Sequence, residues 1–216
     1  MSSGREPLSR SRRWAGWSAI GATTLFMAAN FLWAFEMPAP DAPGPELVDY
    51  YTDLSDRIAA GGLLSLLSIA IFVVFAAALR SVLAEQGDAL LGDVAFGGAV
   101  LGLTAGVGAE STNAAAAIRA GNDDLTEPVA QSLFDISYVL GSYAAGIGLG
   151  VLMLAIGVAA LRNRALLPRW LALAAVAVGL ATVTPLFGFL LGEYTVGPSY
   201  LLLLALGVLL LRGARA

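Results

Sequence analysis

The sequence predicts an all-α bundle of membrane-spanning helices, and three observations carry that reading. Of 216 residues, 58% are hydrophobic and 13% charged, with a mean hydropathy of +0.78, whereas soluble domains run near about 25% charged. The apolar residues gather into six long segments separated by short polar connections. Arginines concentrate in alternate connections, the charge asymmetry that multi-pass chains use to fix orientation. The length suits one bundle rather than two domains.

A membrane helix needs about 20 predominantly apolar residues. The first segment, 14–35, follows the basic cluster Arg10, Arg12 and Arg13 and ends at Glu36. A secretory signal would begin similarly, but its apolar core runs only about 7–15 residues. This run is longer, and no small-x-small cleavage site precedes Pro38, so it is expected to stay as a helix. Prolines at 38, 40, 43 and 45 make 37–45 an extended, non-helical stretch. Over 46–57 two readings stay open. Leu47, Tyr50, Tyr51, Leu54 and Ile58 recur at helical spacing, as in a short amphipathic helix on the outer membrane surface; the same stretch also reads as a solvated acidic loop.

The second and third spans are 58–79 and 94–118. The fourth, 129–161, is longer than a bilayer requires, so part of it is expected to extend into headgroups or water. The fifth is 170–191. The sixth, 198–211, is short and is expected to begin a turn earlier, near Thr195. With the N-terminus cytoplasmic, Arg5, Arg10, Arg12, Arg13, Arg80, Arg162, Arg164, Arg169, Arg212 and Arg215 fall inside, against Arg57 and Arg119 outside. The outer connections are acidic: Asp41, Glu46, Asp49, Asp53 and Asp56, then Asp123, Asp124 and Glu127, then Glu193. The expectation is a multi-pass protein of the cell membrane with both termini cytoplasmic. A basic segment 1–13 precedes a single transmembrane domain 14–212, whose outer loop is 36–57, and a tail 213–216 follows. Trp14, Trp17, Trp33 and Trp170 lie near span ends, as interfacial anchors do.

Composition excludes much chemistry. Without cysteine there are no disulfides, thiol relays or thiolate metal sites. Without histidine there is no imidazole ligation of haem, no typical zinc site, no Ser-His dyad and no histidine proton relay. No cofactor, metal or nucleic-acid partner is expected. The basic residues are all arginine in an Ala/Gly/Leu-rich background, the codon-bias pattern of a high-G+C prokaryote.

Only two ionisable side chains, Glu110 and Asp135, fall within the apolar segments. A carboxyl inside a bilayer is costly, so the pair is the candidate functional site. Counted from Arg119 and Glu127 at 1.5 Å per residue, both lie about 12–14 Å inside the outer ends of neighbouring antiparallel helices. Gln131, Asp135, Tyr138 and Ser142 follow a 4-3-4 spacing, one polar stripe that continues through Gly146 and Gly150. Gly98, Gly102 and Gly106 repeat every four residues and lead to Glu110, with Asn113 beside it. The third and fourth spans are therefore expected to touch through these glycines in the inner leaflet and to surround an outer pocket lined by Glu110, Asp135, Asn113, Gln131 and Tyr138. Asn30, Ser65, Ser68, Thr182 and Thr184 add polar groups at similar depth, and Pro185 frees a backbone carbonyl near Thr182. The inner stretches 69–79, 144–161 and 201–211 carry no charge. That pattern fits a pocket closed toward the cytoplasm, not a pore. A structural role for the acids, hydrogen-bonded between helices, is an equally open reading, as is simple exposure at headgroup level.

Leu167-Pro168-Arg169-Trp170-Leu171, preceded by Ala160-Leu161-Arg162-Asn163-Arg164, resembles a domain of unknown function found in small multi-pass proteins of high-G+C bacteria. Their pattern is an apolar helix, a basic turn, then Leu-Pro-Arg-Trp-Leu entering the next helix. The resemblance covers about the last 90 residues and implies the membrane-bundle fold, without an activity.

Three functions fit. One is binding or sensing of a small polar or cationic molecule, or of a lipid headgroup, in the outward pocket. Another is a small proton-coupled secondary transporter, because six spans divide into two triplets of opposite orientation. The third is a structural or regulatory partner of another membrane protein. An enzyme is disfavoured: no oxyanion donors, metal ligands or nucleophile elbow accompany the two acids.

Overall fold

The computed structural model describes residues 10–163, 166–183 and 185–212. Most of the basic N-terminal segment with Arg5, as well as Arg164, Thr184 and the tail with Arg215, lies outside the described residues, as do the side chains of Glu193 and Thr195. The described chain is helical, with no strand: α1 (Arg10–Trp33), a 3₁₀ turn (Ala34–Glu36), α2 (Gly44–Asp53), α3 (Ser55–Glu85), α4 (Ala89–Gly121), α5 (Glu127–Tyr138), a π-helical segment (Val139–Ala144), α6 (Ala145–Arg162), α7 (Arg169–Val183) and α8 (Pro185–Arg212). Four helical runs are long and apolar enough to cross a membrane: Arg10–Glu36, Ser55–Glu85, Ala89–Gly121 and Glu127–Arg162. The last is the long fourth segment, continuous through the π turn. Shorter apolar helices follow at Arg169–Val183 and Gly197–Arg212.

The long helices close a ring in chain order. α1 packs on α3, α3 on α4, α4 on α6, α6 on α7, α7 on α8, and α8 returns to α1. Local chemistry sets the ends. Gly87, at φ +86°, turns the chain after α3, so that Gly87 N–H donates to the Ala84 carbonyl and Asp88 N–H to that of Leu83. Asp123, at φ 55°, does the same after α4. Pro45 stands in the first turn of α2, where its missing N–H costs no helical bond.

Glycines decide how closely the walls approach. A Cβ on Gly148 would stand 2.2 Å from Gly102 N, and one on Gly98 2.8 Å from Leu152 N, so α4 and α6 meet backbone to backbone. This corrects the expected glycine register in part. Gly98 and Gly102 do face α6, through Gly148, but Gly146 and Gly150 turn toward Thr182 and Val183 of α7, and Gly106 faces Ile69 of α3.

Two apolar cores result. The larger fills the ring below its middle, with Phe75, Leu79, Leu83, Leu152, Met153, Ile156, Leu203 and Leu206. The smaller gathers Leu47, Tyr50, Tyr51 and Leu54 of the α2 region against Trp33, Ile58, Ala116, Ala117, Ala130 and Phe134. The stretch 46–57 is thus helical except at Leu54, in α2 up to Asp53 and in α3 from Ser55, and burial of Leu47, Tyr50 and Tyr51 seats α2 across the end of the ring.

Candidate functional site

Beneath α2 lies a cavity of about 220 Å³. α1 supplies Phe26, Asn30 and Trp33, α2 supplies Tyr50, and α4 supplies Ala109, Glu110 and Asn113. Phe134, Ser137 and Tyr138 come from α5, and Gly141 and Ser142 from the π turn. A π turn at this place fits a general tendency, since such irregular turns concentrate at functional sites.

Glu110 is only 8% exposed and has no basic residue beside it among the cavity walls. Its carboxyl faces α3, where a Cβ added to Gly62 would lie 3.8 Å from Oε2, and the Ser65 hydroxyl stands on the same side. Ser65 Oγ is fully buried and directed at that carboxyl, while Trp33 Nε1 and Tyr50 OH, on cavity-lining residues, are buried without a hydrogen-bond partner. Buried polar groups are nearly always paired, so two unpartnered donors on the walls of the cavity that holds Glu110 leave it able to take polar atoms.

Other groups are committed. Tyr51 OH donates to Asn113 Oδ1 at 2.9 Å. With that oxygen occupied, the amide of Asn113 offers the cavity its donor end. Asn30 Nδ2 donates to the Phe26 carbonyl at 2.8 Å, and Ser137 Oγ to the Ala109 carbonyl at 3.2 Å. On α2, outside the ring, burial pushes both phenols above the ordinary tyrosine value of 10.0. For Tyr50 the neighbouring Tyr51, Glu36 and Glu110 push in the same direction, while Arg57 opposes them. Both hydroxyls are neutral donors at physiological pH.

The five residues expected to share a pocket separate. Glu110, Asn113 and Tyr138 line the cavity; Gln131 and Asp135 are exposed and line no part of it. Ser137, two residues from Asp135, donates to the carbonyl of Ala109, the residue before Glu110. The expected face is wrong. The inward line of α5 runs through Ala130, Phe134 and Ser137, one residue round from the polar stripe, and a small or apolar side chain there packs against α2 and α4. Phe26, Trp33, Tyr50 and Phe134 are wall residues that the sequence did not single out as a site. Their only signal was the pairing of Tyr50 and Tyr51 on one helical face. No family model, curated protein or solved structure matches the chain.

Proposed function

We propose that this is a six-span membrane protein, with both ends cytoplasmic, that binds or senses a small molecule bearing an ammonium head in the cavity beneath α2. The topology is supported by ten arginines on one side against two on the other. It is also supported by the antiparallel contact of α1 with α3, through Ala22 with Ser68 and Trp33 with Gly61, and of α1 with α8, through Gly16 with Leu211 and Phe26 with Tyr200.

The observation that carries the binding reading is Glu110: one buried carboxyl in a cavity whose walls hold no basic side chain and several aromatic rings. A ligand cation completes such a site. Aromatic faces attract quaternary ammonium groups, more strongly when water is excluded, and Glu110 supplies the counter-charge. The unpartnered Tyr50 hydroxyl and Trp33 indole serve neighbouring polar atoms of the ligand. Tetramethylammonium titrated into the protein in phosphatidylglycerol nanodiscs is the direct test. Glu110→Gln is expected to weaken binding about tenfold or more, the worth of a charge-assisted contact, and Asp135→Asn to leave it within about twofold because that side chain faces away. Equal binding by the Glu110→Gln variant, or none by the native protein, overturns the reading.

A further inference from the structure

The cavity does not stop at Glu110. A smaller hollow of about 90 Å³ continues below it, and Phe26, Ala109, Glu110 and Gly141 line both spaces. The chemistry changes across that junction. Above it stand Asn30, Asn113, Ser137, Tyr138 and Ser142. Below it the walls are Ile69, Phe72, Ala99, Leu103 and Leu149, with glycines between them. Two hydroxyls reach that lower wall, those of Ser68 and Tyr200, and Ser68 is already committed to the Ala22 carbonyl at 2.7 Å. Tyr200 of α8 closes one side, its ring stacked on Phe26 with centroids 4.5 Å apart. Beneath, Phe75, Leu79, Leu152 and Met153 are packed solid. A hollow so lined offers water too few partners and favours hydrocarbon.

Resting on the cation-binding reading above, we propose that the ligand is a short-chain cationic amphiphile. Its ammonium head sits against Glu110 among the aromatic rings, and its alkyl chain points down into the lower hollow. The volume sets the chain length. A cavity of about 150 Å³ accepts benzene, so about 90 Å³ accepts three or four methylenes. A full acyl chain does not fit, which separates a free amphiphile from a membrane phospholipid.

An alkyltrimethylammonium series, from methyl to octyl, tests this in phosphatidylglycerol nanodiscs. Affinity is expected to rise about fourfold per methylene, the ordinary gain for burying one, for three or four carbons and then to level. Partition into lipid would instead rise without a break and equally in empty nanodiscs, and that result overturns the proposal. Two variants move the break in opposite directions. A Cβ on Gly106 would meet only Ile69 Cδ1, at 3.6 Å, so Gly106→Val fills the hollow at low steric cost. It is expected to keep tetramethylammonium affinity and abolish the chain-length gain. Leu103→Ala enlarges the hollow and is expected to carry the gain one or two carbons further; a break unmoved in both variants overturns the proposal. Exchanging phosphatidylglycerol for phosphatidylcholine is expected to change nothing, and competition by that lipid would reassign the head site to phospholipid. Tetramethylammonium binding with no chain-length gain refutes the lower-hollow inference alone, whereas no binding of any member refutes the cation site as well.

Discussion

Tyr51 and Asn113 form a hydrogen bond between side chains that ties α2 to the ring, the phenol donating to the amide oxygen at 2.9 Å with both residues buried. α2 is ten residues long, begins after Pro43 and ends at Leu54, where α3 starts at once. A helix of that length is marginal alone. Burial of Leu47, Tyr50 and Tyr51, together with this bond, holds it over the cavity.

Tyr51→Phe therefore loosens a local unit and spares the ring. It leaves Asn113 Oδ1 buried without a donor, at a cost of about 1–3 kcal/mol. Amide exchange in α2 is expected to quicken about tenfold or more, while α3 and α4 keep their protection. Unchanged exchange in α2 would show that the bond does not fasten it.

The same phenols set an alkaline limit. In the fold, burial keeps Tyr50 and Tyr51 protonated beyond their ordinary value of 10.0. Above that pH the unfolded chain ionises first and binds fewer protons than the native state, so stability falls as pH rises. Below it the contribution is whole. The melting temperature is expected to be flat on this account through neutrality and to decline above about pH 10, with a shallower decline in Tyr51→Phe. An identical decline in both proteins would remove these phenols as its cause.

The spans at α1, α3, α4 and α6 were legible because a bilayer demands long apolar runs, and these are free of charge apart from Glu110. Which way the stripe on α5 points was not. Spacing defines a line along a helix, but the neighbours decide its direction, and the inward line through Phe134 and Ser137 lies about 100° round from the stripe through Gln131, Asp135 and Tyr138. Depth accounts for the tolerance of an exposed acid there. From Asp93, paired with Arg80 at 2.6 Å, α4 rises about 30 Å to Asn113 at 1.5 Å per residue, and a hydrocarbon layer is about that thick. In the proposed topology Asp135, close to the level of Asn113, falls at the edge of that layer. The aromatic walls were invisible for another reason. Phe26, Trp33 and Tyr50 come from segments whose periodicities say only that they are membrane or surface helix, and they converge only once α2 folds over α4 and α5.

Asp135→Asn and Gln131→Ala accordingly test the corrected face. Exposed substitutions away from a packed contact usually change stability by no more than about 0.5 kcal/mol. Both variants are expected to melt with the native protein, and a loss of several degrees in either would place these side chains in a contact after all.

Glycine provides a sharper contrast between two helices, Gly148 lying on α6 and Gly97 on α4. A Cβ at Gly148 would lie 2.2 Å from Gly102 N and 2.7 Å from the Gly98 carbonyl oxygen, whereas one at Gly97 meets nothing within 4 Å. Backbone cannot step aside as a side chain can, so Gly148→Ala forces α4 and α6 apart and is expected to cost about 3 kcal/mol or more, the upper range of overpacking. Gly97→Ala is expected to be neutral or slightly stabilising, alanine being the better helix former. Melting in detergent compares the two. Equal stability would mean that α4 and α6 do not meet along Gly98, Gly102 and Gly148.

Topology is open to a clean measurement because the chain has no cysteine of its own. The start of α1 and the end of α8 lie together, since a Cβ on Gly16 would fall 2.6 Å from Leu211 Cγ. Ser11, on α1, donates to Glu85 at the end of α3 at 2.9 Å. Single cysteines at Ser11, Glu85, Asn163 and Arg212 are therefore expected to react with impermeant maleimide only from the cytoplasmic side, and those at Asp41 and Asp124 only from the other. Glu193 separates six spans from four. If the last two apolar helices cross the bilayer, cysteine at that position reacts from outside; if they lie along the inner face, it reacts from inside together with Asn163 and Arg212. Labelling of Glu193→Cys from the cytoplasm would reduce the bundle to four crossings. The cavity would keep its walls from α1, α2, α4 and α5, while Tyr200, which closes its lower hollow, would stand on a helix that never crosses.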